Sequence, residues 1–143
     1  SLKDGMKKMS KSDPSDLSRI NLTDEKDEIY NKIKKAKTDT KPMPTEIKDL
    51  IERPEAENLL RIYSSLRNQQ LENSINDFNG KQFSEFKEKL SEALIEKIEP
   101  ISKEVKKLLN DEKYLDQILL QGSEKADKIA SKKIKEIKEF IGF

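Results

Sequence analysis

The sequence predicts an all-α protein, a helical bundle preceded by a loop-like N-terminal tail. Three observations predict it. Apolar residues recur at spacings of three and four through most of residues 23–143, no useful length alternates with period two, and residues 1–22 carry no helical period. Hydrophobic residues make up 33% of the chain and charged ones 40%, so the apolar stripes must be narrow and the core thin.

The elements follow in order. Gly5, Pro14 and a scatter of Ser and Asp make residues 1–22 a loop. Thr23 is a good N-cap for a first helix. Asp24 and Glu25 would occupy its positive dipole end, and Ile29, Ile33 and Ala36 its inner face, until Thr38-Asp39 and the breaker Lys41-Pro42-Met43-Pro44. Thr45 can cap a short helix over Glu46–Ile51. Pro54 suits the first turn of a third helix, with Leu59, Leu60, Ile62, Tyr63 and Leu66 as its apolar face. A fourth runs from Leu71 to Phe78 and stops at Asn79-Gly80.

The longest helix carries Phe83, Phe86, Leu90, Leu94, Ile98, Ile101, Val105 and Leu108, with a kink expected at Pro100. Asp111 opens a short helix with Tyr114, Leu115, Ile118 and Leu119 facing inward and Gly122 closing it. Ser123 caps the last helix, whose stripe is Ala126, Ile129, Ala130, Ile134, Ile137, Phe140 and Ile141. The expected division is a tail over residues 1–22 and a helical domain over 23–143.

Composition excludes several chemistries. There are 29 Lys plus Arg against 28 Asp plus Glu, so bulk charge favours no nucleic-acid partner and any such site must be local. The chain has no cysteine, which removes disulfides and thiolate metal sites and fits a cytoplasmic protein. It also has no histidine, which removes histidine acid–base catalysis and His-ligated metal. No apolar run approaches a membrane span and no secretory pattern opens the chain. The start, Ser1-Leu2-Lys3-Asp4-Gly5, lacks a methionine and reads as the edge of a piece of a longer protein.

The residues with most chemical promise are Lys8-Met9-Ser10-Lys11-Ser12, followed by Asp13-Pro14. Two lysines three residues apart flank hydroxyls in a loop. Taken alone, such a pentapeptide is as readily a solvated linker as a site, and both readings stand. The pentapeptide resembles the second signature of class I aminoacyl-tRNA synthetases, and the rest of the chain resembles the bacterial tryptophanyl-tRNA synthetases. Lys34-Lys35-Ala36-Lys37-Thr38-Asp39, Asn58 through Ser64, Gly80-Lys81 through Leu90, and Gly122-Ser123-Glu124-Lys125-Ala126 with Ile141-Gly142 are each similar to elements of that family, in order. Ser84 and Ser123 depart from it, standing where Gly and Ala are common.

The resemblance implies that Lys8, Met9, Ser10, Lys11 and Ser12 form an ATP-binding loop, with Lys8 and Lys11 catalytic. Adenylate formation releases pyrophosphate, and cations that meet its growing charge only in the transition state lower the barrier. The implied cofactor is ATP with Mg2+, and the implied partners are tryptophan and tRNA(Trp), in a homodimeric parent. The other class I signature, His-x-Gly-His, would lie outside this chain, and the piece alone would be inactive. A helical interaction module in which the Lys-Ser stretch is incidental is the alternative.

Further candidates are weaker. Lys125, Lys128, Lys132 and Lys135 share an arc opposite the last apolar stripe, either a tRNA-facing surface or an ordinary solvated face. Lys32, Lys34, Lys35 and Lys37 pose the same choice; among all of these, Lys32, Lys35, Lys125, Lys128 and Lys132 are the tRNA candidates. Tyr30, Tyr63 and Tyr114 sit beside apolar positions and are expected in the core rather than stacked on bases. Asp24, Asp27 and Glu28 are expected as ordinary helix-start acids.

Overall fold

The computed structural model describes residues 1–142 and is all-α, with no strand among them. Five α-helices follow one another: α1 (Lys26–Lys35), α2 (Pro54–Arg67), α3 (Leu71–Phe78), α4 (Phe83–Leu109) and α5 (Glu112–Ile141). Two short 3-10 turns, Asp16–Ser18 and Ile47–Leu50, precede α1 and α2. No helix of the described residues is long and apolar enough to cross a membrane. The residues group into two units, Ser1–Lys103 and Glu104–Phe143.

The helix ends obey local chemistry. α1 is capped by Glu25 rather than Thr23, and the Glu25 N–H donates to Glu28 Oε2 at 2.8 Å, a capping-box bond. Starting the helix at Lys26 frees Asp24 for a buried ion pair, which is why the expected cap is passed over. Pro54 fills the first turn of α2, where its missing N–H costs nothing, and Asn68 closes that helix in the left-handed region at φ 52°. Residues 46–51, expected as a short α-helix, tighten into the 3-10 turn. α4 continues through Pro100.

The core of the first unit is a ring junction. Tyr63 of α2, Phe78 of α3 and Phe86 of α4 meet edge to face, with centroids 5.0 Å (Tyr63–Phe78) and 4.9 Å (Phe78–Phe86) apart. Ile29, Ile33, Leu59, Leu60, Ile75 and Leu90 are buried around them. Two surprises join this core. Met43, inside the breaker, is buried, and its N–H donates to the Lys81 carbonyl at 2.8 Å. Leu2, inside the tail, is 2% exposed, and Met9 and Ile20 pack against the same core.

Residues 1–22 are thus loop-like yet not free. The Leu2 N–H donates to the Ser18 carbonyl at 2.9 Å, and the Leu2 carbonyl accepts from the Lys37 N–H at 2.8 Å. Gly5 lies so close to the start of α2 that a Cβ there would sit 2.6 Å from Glu55 N and overlap the Pro54 carbonyl.

In the second unit the sequence reading needs correction. Gly122 does not end a helix: α5 runs unbroken from Glu112 to Ile141, capped by Asp111, whose carboxylate accepts the Tyr114 N–H at 3.1 Å. A glycine inside a helix costs about 1 kcal/mol, which the strong helix formers on both sides absorb. The stripe expected to face inward is uncovered, with Ile129 and Phe140 72% and 91% exposed and no residue of α5 buried.

Two variants test this packing. Phe86→Ala should lose about 3–5 kcal/mol of stability in urea unfolding, the range for a truncated core aromatic. Gly5→Ala should lose about 1–3 kcal/mol, because backbone atoms cannot yield to the new methyl group as a flexible side chain would.

Candidate nucleotide-binding loop and its supports

Lys8-Met9-Ser10-Lys11-Ser12 lies in an exposed bend of the first unit. The two lysines point to solvent and form no ion pair among the described residues, whereas Met9 between them is partly buried against the core. The polar residues are tied to one another. Ser10 and Ser12 share a hydroxyl–hydroxyl bond at 2.9 Å, and the Ser12 N–H donates to Ser10 Oγ at 3.3 Å. The Asp13 N–H turns back to the Ser10 carbonyl at 3.3 Å, and Asp13 Oδ1 accepts from the Ser15 N–H at 2.8 Å. The result is a turn with a hydrophobic foot and two free cations, suited to an anionic, flexible ligand such as a polyphosphate.

The next residues bind the loop to α1 through a compact polar network. The Lys32 ammonium, 3% exposed, donates to Asp24 Oδ2 and meets Asp16 Oδ2, each at 2.6 Å. The Asn21 N–H and side-chain amide reach both carboxylates, at 2.9 Å to each. Burial alone would lower the Lys32 pKa, but hydrogen bonds to Asp16 and Asp24 outweigh it and hold it above the usual 10.5. The Lys32 and Asn21 contacts hold the Asp16 carboxyl below its usual 3.8.

Two further cations pin the backbone around α1. Arg53 grips Asp39 with both arms, at 2.8 and 2.9 Å, and donates to the Pro42 carbonyl at 2.8 Å. Burial would raise the Asp39 pKa, yet the Arg53 contact and the Lys41 N–H keep it lowered. The Lys87 ammonium donates to the carbonyls of Ala36 (2.6 Å) and Lys34 (3.1 Å), the negative end of α1, and burial pulls its pKa below the usual lysine value.

The sequence-predicted residues therefore separate. Lys8 and Lys11 stand free with Ser10 and Ser12 between and beside them. Lys32, a tRNA candidate, is a buried structural cation with no open face for a phosphate. Lys35 is exposed and forms no ion pair among the described residues, while Lys37 pairs with Glu55 at 2.7 Å. Lys125, Lys128 and Lys132 are exposed on α5 and also unpaired among the described residues, whereas Lys135 faces Glu139 at 3.9 Å.

Of the tyrosines, only Tyr63 is in the core; Tyr30 and Tyr114 are 48% and 46% exposed. Tyr30 lies one residue off the inward Ile29, a rotation of about 100° along the helix. It lines a cleft of about 290 Å³ with Lys34, Phe83 and Lys87. Asp27 and Glu28 lie in the first turn of α1 as expected, but Asp24 is the buried partner of Lys32, not a helix-start acid. Among the described residues no group of three or more Asp or Glu is placed to hold a metal ion.

Sequence reasoning missed Arg19, Asp16 and Asn21. One signal was present: Arg19 is the sole arginine among residues 1–22, where every other cation is lysine. A planar guanidinium is favoured where several fixed oxygens must be reached together.

The pKa directions predict a plateau of stability with two flanks. Lys32, raised when folded, contributes fully at pH below 10.5 and loses that contribution as pH climbs through its folded value. Asp16 and Asp39, lowered when folded, contribute above 3.8 and lose it as pH falls through theirs. Urea midpoints measured against pH should show both flanks. Lys32→Met should shrink the alkaline one, to which exposed Lys37, Lys48 and Lys89 also contribute, and lower mid-pH stability by about 3 kcal/mol, since Asp24 is left buried without its cation.

Comparison with known proteins identifies the family. A family profile described as "tRNA synthetases class I (W and Y)" matches residues 1–99. The chain is 51% identical over 143 residues to a tryptophan–tRNA ligase of Agrobacterium fabrum and 50% identical over 143 residues to one of Rickettsia felis. All of this chain is covered in both cases, but only 40% and 43% of those relatives, so the chain spans well under half of their length. Among solved structures, tryptophanyl-tRNA synthetase from Mycoplasma pneumoniae superposes with a TM-score of 0.58 at 28% identity, over 71% of this chain and 33% of that one. The chain belongs to the class I tRNA synthetases of the tryptophan and tyrosine group, and the relatives it matches here are of the tryptophan kind.

Proposed function

We propose that this chain is the C-terminal part of a tryptophan–tRNA ligase, which activates tryptophan with Mg-ATP and transfers it to tRNA(Trp). The chain would supply the Lys8–Ser12 loop, and residues 23–143 the helical part that receives tRNA. The observation that carries the reading is the pairing state of the loop. Lys8 and Lys11 have no carboxylate partner among the described residues in a chain that is 40% charged, while the backbone between them is fixed by Met9 and Ser10.

In that role the two ammonium groups approach the β- and γ-phosphate oxygens as the tryptophan carboxylate attacks the α-phosphorus. The α-phosphorus–oxygen bond to pyrophosphate breaks, and the departing charge falls toward Lys8 and Lys11. Ser10 and Ser12 offer hydroxyl donors to the same oxygens, and Ser12 also has its backbone N–H close to Ser10 Oγ. Mg2+, carried on the phosphate oxygens, would offset part of the same charge.

For tRNA, the supporting residues are Lys35, Lys125, Lys128 and Lys132, all exposed; buried Lys32 is not among them. The homodimeric state and the cytoplasmic location belong to the same reading, on family resemblance alone.

The test is tryptophan-dependent ATP–pyrophosphate exchange by the complete synthetase. Lys11→Ala should reduce the exchange rate about a hundredfold or more, roughly 3 kcal/mol of transition-state stabilisation. If tryptophan fails to stimulate exchange in the folded enzyme, the helical interaction module becomes the better reading. A second test addresses tRNA. The triple variant Lys125→Ala, Lys128→Ala, Lys132→Ala should flatten the dependence of log affinity on log salt by about 2–3, a little under one for each phosphate no longer neutralised.

A further inference from the structure

We infer that Arg19 is a positioning residue for the Lys8–Ser12 loop, holding the loop's outgoing arm by its carbonyl oxygens and tying that arm to α1. The inference rests on the reading of this loop as the phosphate-binding element. Arg19 itself touches no substrate in it.

The geometry is that of a hub. Arg19 Nη1 donates to the Asp13 carbonyl at 3.0 Å and lies 3.5 Å from the carbonyls of Ser10 and Ser15. Nη2 meets Asp16 Oδ1 at 3.1 Å and Nε donates to Asn21 Oδ1 at 3.2 Å. The side chain is 18% exposed, so these bonds form largely out of solvent. An exposed i,i+3 pair to Asp16 alone would contribute little. What distinguishes Arg19 is that Nη1 alone reaches three main-chain oxygens of a segment with no α-helix of its own, while Nη2 and Nε hold the Asp16 and Asn21 side chains. Those oxygens belong to residues 10, 13 and 15, so they flank the backbone that carries Lys11 and Ser12.

The far side of the hub is anchored. Asp16 also holds Lys32, whose second partner is Asp24, and Asn21 bridges both carboxylates. The chain of contacts is therefore loop carbonyls, Arg19, Asp16, Lys32, α1. A lysine at position 19 would keep the charge beside Asp16, but its single ammonium could not span oxygens fixed in several directions. Losing the fork should leave the loop's composition intact while blurring the placement of Lys11, an error to which transition-state contacts are far more sensitive than substrate binding.

The experiment is a double-mutant cycle in the complete synthetase, read as tryptophan-dependent ATP–pyrophosphate exchange. Arg19→Gln should lower kcat about 10- to 100-fold with the KM for tryptophan nearly unchanged. In the Lys11→Ala background the same substitution should cost less than about threefold, because the group it positions has gone. Arg19→Lys, which keeps the Asp16 pair and guards against loss of folding, should show a kcat deficit similar to that of Arg19→Gln at an unchanged unfolding midpoint.

Full additivity with Lys11→Ala, or complete rescue by Arg19→Lys, would assign Arg19 a merely structural or charge role and overturn the inference alone. If Lys11→Ala itself leaves exchange intact, the phosphate-binding reading fails and takes the Arg19 inference with it.

Discussion

The ammonium of Lys32 is the point on which the packing of residues 16–24 against α1 turns. It lies 2.6 Å from two carboxylates that belong to neither its own helix nor each other's turn, Asp16 and Asp24. Without it, residues 16–24 would bring two negative charges together beside α1, one of them almost wholly buried. With it, the segment leaving the candidate loop is compelled to fold back on the helix. Asp24 is thereby withdrawn from the first turn of α1, the cap passes to Glu25, and Arg19 is placed under the loop carbonyls. Buried ions are an uncertain source of net stability, since desolvation opposes the attraction. Here the gain is a fixed register between a loop and a helix.

The rest of the first unit is equally sparing of apolar material. A small aromatic junction, Tyr63 with Phe78 and Phe86, joins three helices, and polar side chains hold what it cannot reach. Arg53 clamps the Pro-rich bend to α2, with Phe83 beneath its guanidinium at 5.8 Å. Lys87 closes the carbonyl end of α1, and Ser64 and Ser74 bond at 2.7 Å where α2 meets α3. Each of these contacts satisfies buried backbone or hydroxyl groups that a thin core would otherwise leave without partners.

How much of this was legible depended on whether the cause was local. Helix periods are local, and the start of α2 and both bounds of α3 were readable from Pro54, Leu71, Phe78 and Asn79-Gly80. The Lys8–Ser12 stretch stood out as a candidate because its pattern is contiguous. The Lys32–Asp24 pair was not, because eight residues separate its members and each had a sufficient local explanation, a solvated lysine and a helix-start acid. Met43 and Leu2 were missed for a related reason. Single apolar residues between breakers have no period, and only tertiary hydrogen bonds to Lys81, Ser18 and Lys37 reveal that they point inward. Gly122 misled in the opposite direction, since a glycine is permitted a left-handed cap but does not require one.

The bond from the Leu2 N–H to the Ser18 carbonyl has a thermodynamic consequence. It joins the two ends of residues 3–17 and so closes the candidate loop at its base, with Gly5 wedged against α2 on one arm and Arg19 under the other. Drawing the ends of a span of that length together costs on the order of 2 kcal/mol or more in conformational entropy. In this protein that entropy is given up once, at folding. In the proposed role, what would remain to be ordered when a phosphate arrives is a handful of side-chain rotors, chiefly those of Lys8 and Lys11. Recognition in that proposed role would be fast and repeatable, with the loop already shaped and only its charged tips left to settle.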